Sequence, residues 1–160
     1  HSLEVAALAQ VLASHCTMLR PELAMLAGLA HEIGTLPVIR MAETLGEELP
    51  EAAVLDRVIR NLQPRVGRMV LQAWDFPEVL VEVPSRWMDF SRTHEGPADY
   101  VDVVTVAALQ SHQHREGRLA GIDRRRVPAF LKLDLSPEVD VFEIDGVQER
   151  YEENRAALAG

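Results

Sequence analysis

The sequence is short of several things, and each shortage removes a class of protein. It holds one cysteine, Cys16, in 160 residues, so no internal disulfide can form and a disulfide-stapled secreted scaffold is excluded. No apolar run comes near the ~18 residues that a membrane span needs, because charged residues interrupt each candidate. Basic excess is also missing. Lys and Arg number 16 against 25 Asp and Glu, a formal charge of −9, which is the wrong balance for a nucleic-acid binder. No Gly-rich phosphate loop follows a strand, no cysteine cluster offers zinc ligands, and no Ser-His-Asp order suggests a triad. The chain opens on His1 with no signal-peptide pattern, and we expect it to be a piece of a longer protein.

What is there reads as a folded domain. Half of the residues (48%) are apolar and 26% are charged, which argues against disorder. A single domain spanning residues 1–160 is expected, long enough to bury roughly two-thirds of its unfolded surface.

The apolar residues recur at helical spacing almost everywhere. Leu3, Val5, Ala6, Ala7, Leu8, Val11 and Leu12 mark a first helix from about Ser2, the expected N-cap, to Ser14. Pro21 and Glu22 open a second, buried through Leu23, Leu26, Ala27, Ala30 and Ile33, with Gly34 expected to end it in a left-handed conformation. Ala24, Ala27, Gly28 and Ala30 are small enough for a neighbouring helix to approach closely. A third helix runs from about Leu36 to Leu45 and ends at Gly46. A fourth follows Pro50, and Pro64 is expected to restart the chain into a fifth that reaches Trp74.

Pro77 opens a further helix, which Pro84 must bend or shorten. Ser91–Pro97 reads as a polar loop, and Ala98–Gln113 gives the longest strong helical signal. Ser136-Pro137-Glu138 predicts the cap of a last helix over residues 137–160, polar all round beyond Gln148. Val139–Ile144 could pass for a strand, but no series of alternating strands exists. The fold class is therefore all-α. We expect a compact bundle of about seven to nine helices, with Leu26, Leu29, Ile33, Val70, Trp74, Val104 and Leu109 in its core.

Few residues suggest chemistry. In Ala27-Gly-Leu-Ala-His31-Glu32-Ile-Gly34 an imidazole and a carboxylate stand together at a helix end, and both suit a divalent transition ion. If the first two helices form a hairpin, His1 and His31 come level within roughly 5 Å along the axis. The alternative reading makes His31 a hydrogen-bonded helix-end residue with Glu32 exposed. His112 and His114 point about 200° apart on a helix and cannot share an ion. The thiol at His15-Cys16 lacks an activating group. Arg124-Arg125-Arg126 is a local basic cluster, expected to pair with the acidic stretch Glu143–Glu153. Trp74 and Trp87 read as core or groove residues.

Three separated blocks carry a family resemblance. His1-Ser-Leu-Glu-Val-Ala-Ala-Leu-Ala and Ala27-Gly-Leu-Ala-His-Glu-Ile-Gly-Thr-Leu-Pro-Val-Ile resemble the opening of the HD superfamily of metal-dependent phosphohydrolases. Val66-Gly-Arg-Met-Val-Leu-Gln-Ala-Trp-Asp-Phe-Pro77, followed later by Val127-Pro-Ala-Phe-Leu-Lys-Leu133, resembles the HDOD output-domain family, a degenerate relative of the HD and HD-GYP enzymes. The resemblance covers about residues 1–135. It implies an HD-type bundle, and it places this chain as the C-terminal portion of the family pattern, lacking an upstream helical portion.

The resemblance also implies where a metal site would stand. His1 and His31 match the first two histidines, and Glu32 stands where aspartate is usual. The later histidine falls at Gln63, a histidine pair at Arg86-Trp87, and the distant aspartate near Ala107. Asp102, five residues earlier, lies about 140° round its helix from that position. The site looks dismantled, with Arg86 expected to repel a cation. No catalytic, cofactor-binding or metal residue and no cofactor is therefore expected. The resemblance implies a cytoplasmic bacterial signalling module that acts on other signalling domains or proteins, or on itself, away from membranes and nucleic acid. The competing reading is a metal-dependent phosphohydrolase or phosphodiesterase using His1, His31 and Glu32.

Overall fold

The computed structural model describes residues 1–45, 51–111 and 119–159. Within them the chain is all-helical, with nine α-helices and two short 3-10 turns. Helix α1 (Ser2–Cys16) is buried continuously from Val5 to Ala9 and again from Val11 to Ala13. Helix α7 (Tyr100–Gln110) is buried along its whole length. A helix buried over most of its length belongs at the centre of a fold, and these two form the core. Around them stand α2 (Pro21–Ala30), α8 (Pro128–Lys132) and α9 (Val147–Ala159). Helix α3 (Thr35–Leu45) packs on α4 (Ala52–Ala73), which also rests on α5 (Glu78–Val81) and α6 (Val83–Arg86).

Two glycines set the closest approaches. A Cβ on Gly28 would lie 2.6 Å from Ala6 Cα, so α1 and α2 touch backbone to backbone, as the small residues predict. Gly34 differs from expectation. It has no left-handed backbone, and α2 stops at Ala30, followed by a turn over residues 31–34. Its bareness serves packing instead, since a Cβ there would lie 2.5 Å from Gly67 N.

Several boundaries are corrected. His1, not Ser2, is the N-cap of α1. Pro64 does not restart the chain but lies inside the 22-residue helix α4. The missing N–H costs one helical hydrogen bond, and packing on α3 and α6 holds the helix through it. Pro84 does divide its segment, into α5 and α6. The last helix begins at Val147, not at residue 137, because the chain first makes a 3-10 turn at Val141–Glu143.

Two helices end on aspartates in the left-handed region, a terminator not expected from the sequence. Asp75 (φ 52°) and Asp134 (φ 54°) take left-handed backbones after α4 and α8. Phe76 N–H then reaches Leu71 O (3.0 Å) and Leu135 N–H reaches Phe130 O (3.0 Å), closing two Schellman-type ends.

Of the seven expected core residues, Val104 and Leu109 are fully buried. Leu26, Leu29, Ile33 and Val70 are half-buried, and Trp74 is 61% exposed at the end of α4. The helical phase was right for Trp74, but among the described residues its ring neighbour is Phe76 and it stays largely exposed. Pro21–Thr44 is apolar enough, at mean hydropathy 1.2, and long enough to cross a membrane, despite Glu32, contrary to expectation. Here it folds as α2 and α3 with the turn between them. Residues 46–50, 112–118 and 160, and with them Gly46, His112 and His114, lie outside the described residues.

Candidate functional site

The end of α2 and the start of α1 do bring the expected residues together. His1, His31 and Glu32 offer ligand atoms that all lie within 4.8 Å of one another. The His1 and His31 rings meet edge to face with centroids 5.3 Å apart, and His1 Nε2 lies 3.9 Å from a Glu32 carboxylate oxygen. The hairpin turn at Thr17–Arg20 and the tight Gly28–Ala6 crossing create this convergence.

His31 is completely buried and held on three sides. Its Nδ1 faces the Gly28 carbonyl at 2.6 Å, so Nδ1 carries the proton and donates. Its own carbonyl accepts from Gln63 Nε2 at 2.7 Å, across from α4. The Trp87 indole stands edge-on to the imidazole with centroids 4.8 Å apart. Gln63 and Trp87 are two of the three positions, with Arg86, where the resemblance puts further histidines. Gln63 turns its amide to the backbone, and Trp87, 1% exposed, fills its position with an apolar ring.

Arg86 does not repel anything here. It points outward and approaches Glu82 at 3.5 Å, beside the Arg68–Glu82 pair at 2.9 Å. Adjacent helical residues face different ways, so the inward place belongs to Trp87. Ala107 is fully buried and supplies no donor atom.

A divalent ion has a limited set of donors in this neighbourhood. With Nδ1 committed to Gly28, His31 offers Nε2, and His1 and Glu32 offer an imidazole and a carboxylate. Three such donors suit one ion of the zinc or manganese kind. Gln63, Trp87 and Ala107 add no further imidazole or carboxylate to this cluster.

A second cluster was not foreseen. His94, Asp99 and Asp102 also lie within 4.8 Å of one another, with Arg92 among them. Asp102, nearly fully buried, bonds His94 Nε2 at 2.7 Å and Arg92 Nη1 at 3.1 Å. Asp99 binds Arg92 at 2.5 Å and caps α7 in a reciprocal box with Asp102. Burial pushes the Asp99 carboxyl up, but hydrogen bonds from Arg92 and the Asp102 N–H, with the nearby positive charge, bring it below the usual carboxylate range. The Arg92 guanidinium already bridges both carboxylates, so this is an ion-pair latch for the Ser91–Pro97 loop. Lys132 ties the same loop through the carbonyls of His94 and Gly96. The Asp99…Asp102 spacing was the available signal, a capping box read only as part of a helix.

The remaining candidates are structural. Burial and then the charge of Asp134 raise the Cys16 thiol above its ordinary range, which opposes nucleophilic chemistry. Arg125 pairs with Asp123 at 3.0 Å, and Arg124 reaches Gln110 at 3.5 Å.

The family model of the HDOD domain matches residues 1–87, which contain the whole His1–His31–Gln63–Trp87 arrangement. The chain belongs to the HDOD domain family. Its fold is also similar to that of a crystal structure from Shewanella amazonensis SB2B, a "putative metal-dependent phosphohydrolase" at 2.06 Å resolution. It superposes with a TM-score of 0.76 at 28% identity over 98% of this chain. The chain spans 55% of the length of that protein. No match occurs among curated proteins. The family match is narrower than the expected residues 1–135, and the placement as a C-terminal portion is not borne out.

Proposed function

We propose that this HDOD domain is a non-catalytic regulatory module that works through protein contacts, with the inherited metal position closed. The carrying observation is Trp87, whose buried indole stands against His31 where a ligand would be needed. An apolar ring supplies no ligand and takes up volume that a water-bearing metal centre has to keep open. Gln63 strengthens the reading, because its amide binds backbone and so works as a structural clamp.

A second reading has one specific observation in its favour: His1, His31 and Glu32 still converge. Three protein donors and an open position can suffice for hydrolysis by metal-activated water. Metal analysis of the purified protein, with a phosphodiesterase assay in added manganese, separates the two. The regulatory reading expects no turnover. Stoichiometric metal and turnover lost in both His31→Ala and the shape-conserving Glu32→Gln, with both variants still folded, would establish the hydrolase.

A further inference from the structure

Helix α4 is apolar over a wider arc than the other described residues cover. At about 100° per residue, its buried residues Gln63, Gly67 and Leu71 share one side. Val54, Val58, Leu62 and Met69 form a row on roughly the opposite side, spaced by four, four and seven residues. That row faces outward. Val54 is 47% exposed, Leu62 37% and Met69 58%, while Val58 is half-buried. Single exposed apolar residues need no explanation, but four aligned over more than four turns of one helix do.

The charge that α4 itself brings to the row is mostly basic. Helix α4 carries Arg57, Arg60, Arg65 and Arg68 against the single acid Asp56, in a chain whose net charge is −9. On the helical wheel Arg65 falls within the row and Arg57 follows along its edge, while Arg68 beside them is paired with Glu82 at 2.9 Å. Asp56 is paired with Arg60 on the other side of the helix. Glu82 takes up Arg68, and a docking segment meets Arg65 and Arg57, with more distant charges screened over about 10 Å at moderate salt.

We propose that this face of α4 docks an amphipathic helix of a partner protein, one whose apolar row is bordered by Asp and Glu. Val54, Val58, Leu62 and Met69, at i, i+4, i+8 and i+15, stay on one stripe of the helix, and such a stripe is what a partner helix lies along. The arginine edge selects acidic flanks and rejects basic ones. A second copy of this chain fits less well, because pairing two α4 faces sets arginine edge near arginine edge. The proposal rests on the reading of a module that acts by contact, and it adds the surface and the chemistry of the contact.

The test uses the whole chain and two labelled synthetic helices of about five turns, read by fluorescence anisotropy. Both present leucines at spacings of three and four, one flanked by Glu and the other by Lys in its place. The Glu helix should bind, more weakly as salt rises, and the Lys helix should not. Leu62→Asp should lower the affinity about tenfold or more, since it places a charge in the seam. Arg65→Glu should shift preference towards the Lys helix. Both sites are on the surface, so unchanged melting of the variants shows that the fold survives. Equal binding of the two helices, no binding of either, or indifference to Leu62→Asp overturns the proposal. So does a sedimenting dimer that Leu62→Asp dissociates, which makes a second copy the occupant. Metal-dependent turnover in the separate assay would overturn the regulatory reading while leaving the anisotropy result standing.

Discussion

Gly34 and Gly67 cross backbone to backbone, close enough that a Cβ on Gly34 would lie 2.5 Å from Gly67 N and 2.3 Å from Gln63 O. This contact seats the turn after His31 on the middle of α4, the same stretch from which Gln63 reaches the His31 carbonyl. The crossing therefore fixes the floor of the histidine cluster.

Gly34→Ala should be destabilising although alanine is the better helix former. The clash is with backbone, which no rotamer change relieves, and a cost towards the upper end of about 1–3 kcal/mol is expected. Urea unfolding of the variant against the parent measures it. An unchanged midpoint would show that the crossing is looser than described.

Gly28→Leu should cost about 1–3 kcal/mol in the same assay, because its Cβ alone would already overlap Ala6 Cα at 2.6 Å. The loss is expected with little local repair, since Ala6 is fully buried in α1. A variant that melts like the parent would contradict the α1–α2 contact.

Trp87→Ala should cost about 3–5 kcal/mol, the usual penalty for removing a large buried aromatic. It also removes the edge contact on His31, so the imidazole NMR signals of His31 should shift more than those of His94. Trp87→Phe should lose less, as the smaller ring still fills most of the space.

Asp99 predicts an acid-range effect. Its folded carboxyl titrates below its unfolded value of about 3.9, so it stabilises the fold fully above that value. The contribution disappears as pH falls through the lower folded value. Asp99→Asn keeps a capping oxygen and removes the charge. Its melting temperature should therefore fall less steeply than the parent's between pH 5 and pH 2. Parallel curves would show that the Arg92 pair is energetically silent.

The helical class, the tight Gly28 crossing and the meeting of His1, His31 and Glu32 were legible in the sequence. Each follows from local periodicity, side-chain size or helix length, quantities that neighbours along the chain already set. Tertiary structure decided the rest. Pro64 would break an isolated helix, yet α4 runs through it because packing on both sides outweighs one lost hydrogen bond. Gly34 looked like a terminator, but the partner that requires its bareness, Gly67, lies 33 residues away. Arg86 and Trp87 are adjacent in sequence, and only the direction in which α6 presents them sends the arginine to Glu82 and the indole to His31. His94 and Arg92 read as loop polarity until the capped start of α7 brought Asp99 and Asp102 beneath them. Periodicity tells which side of a helix is apolar, but what covers that side is fixed by elements far away in the chain.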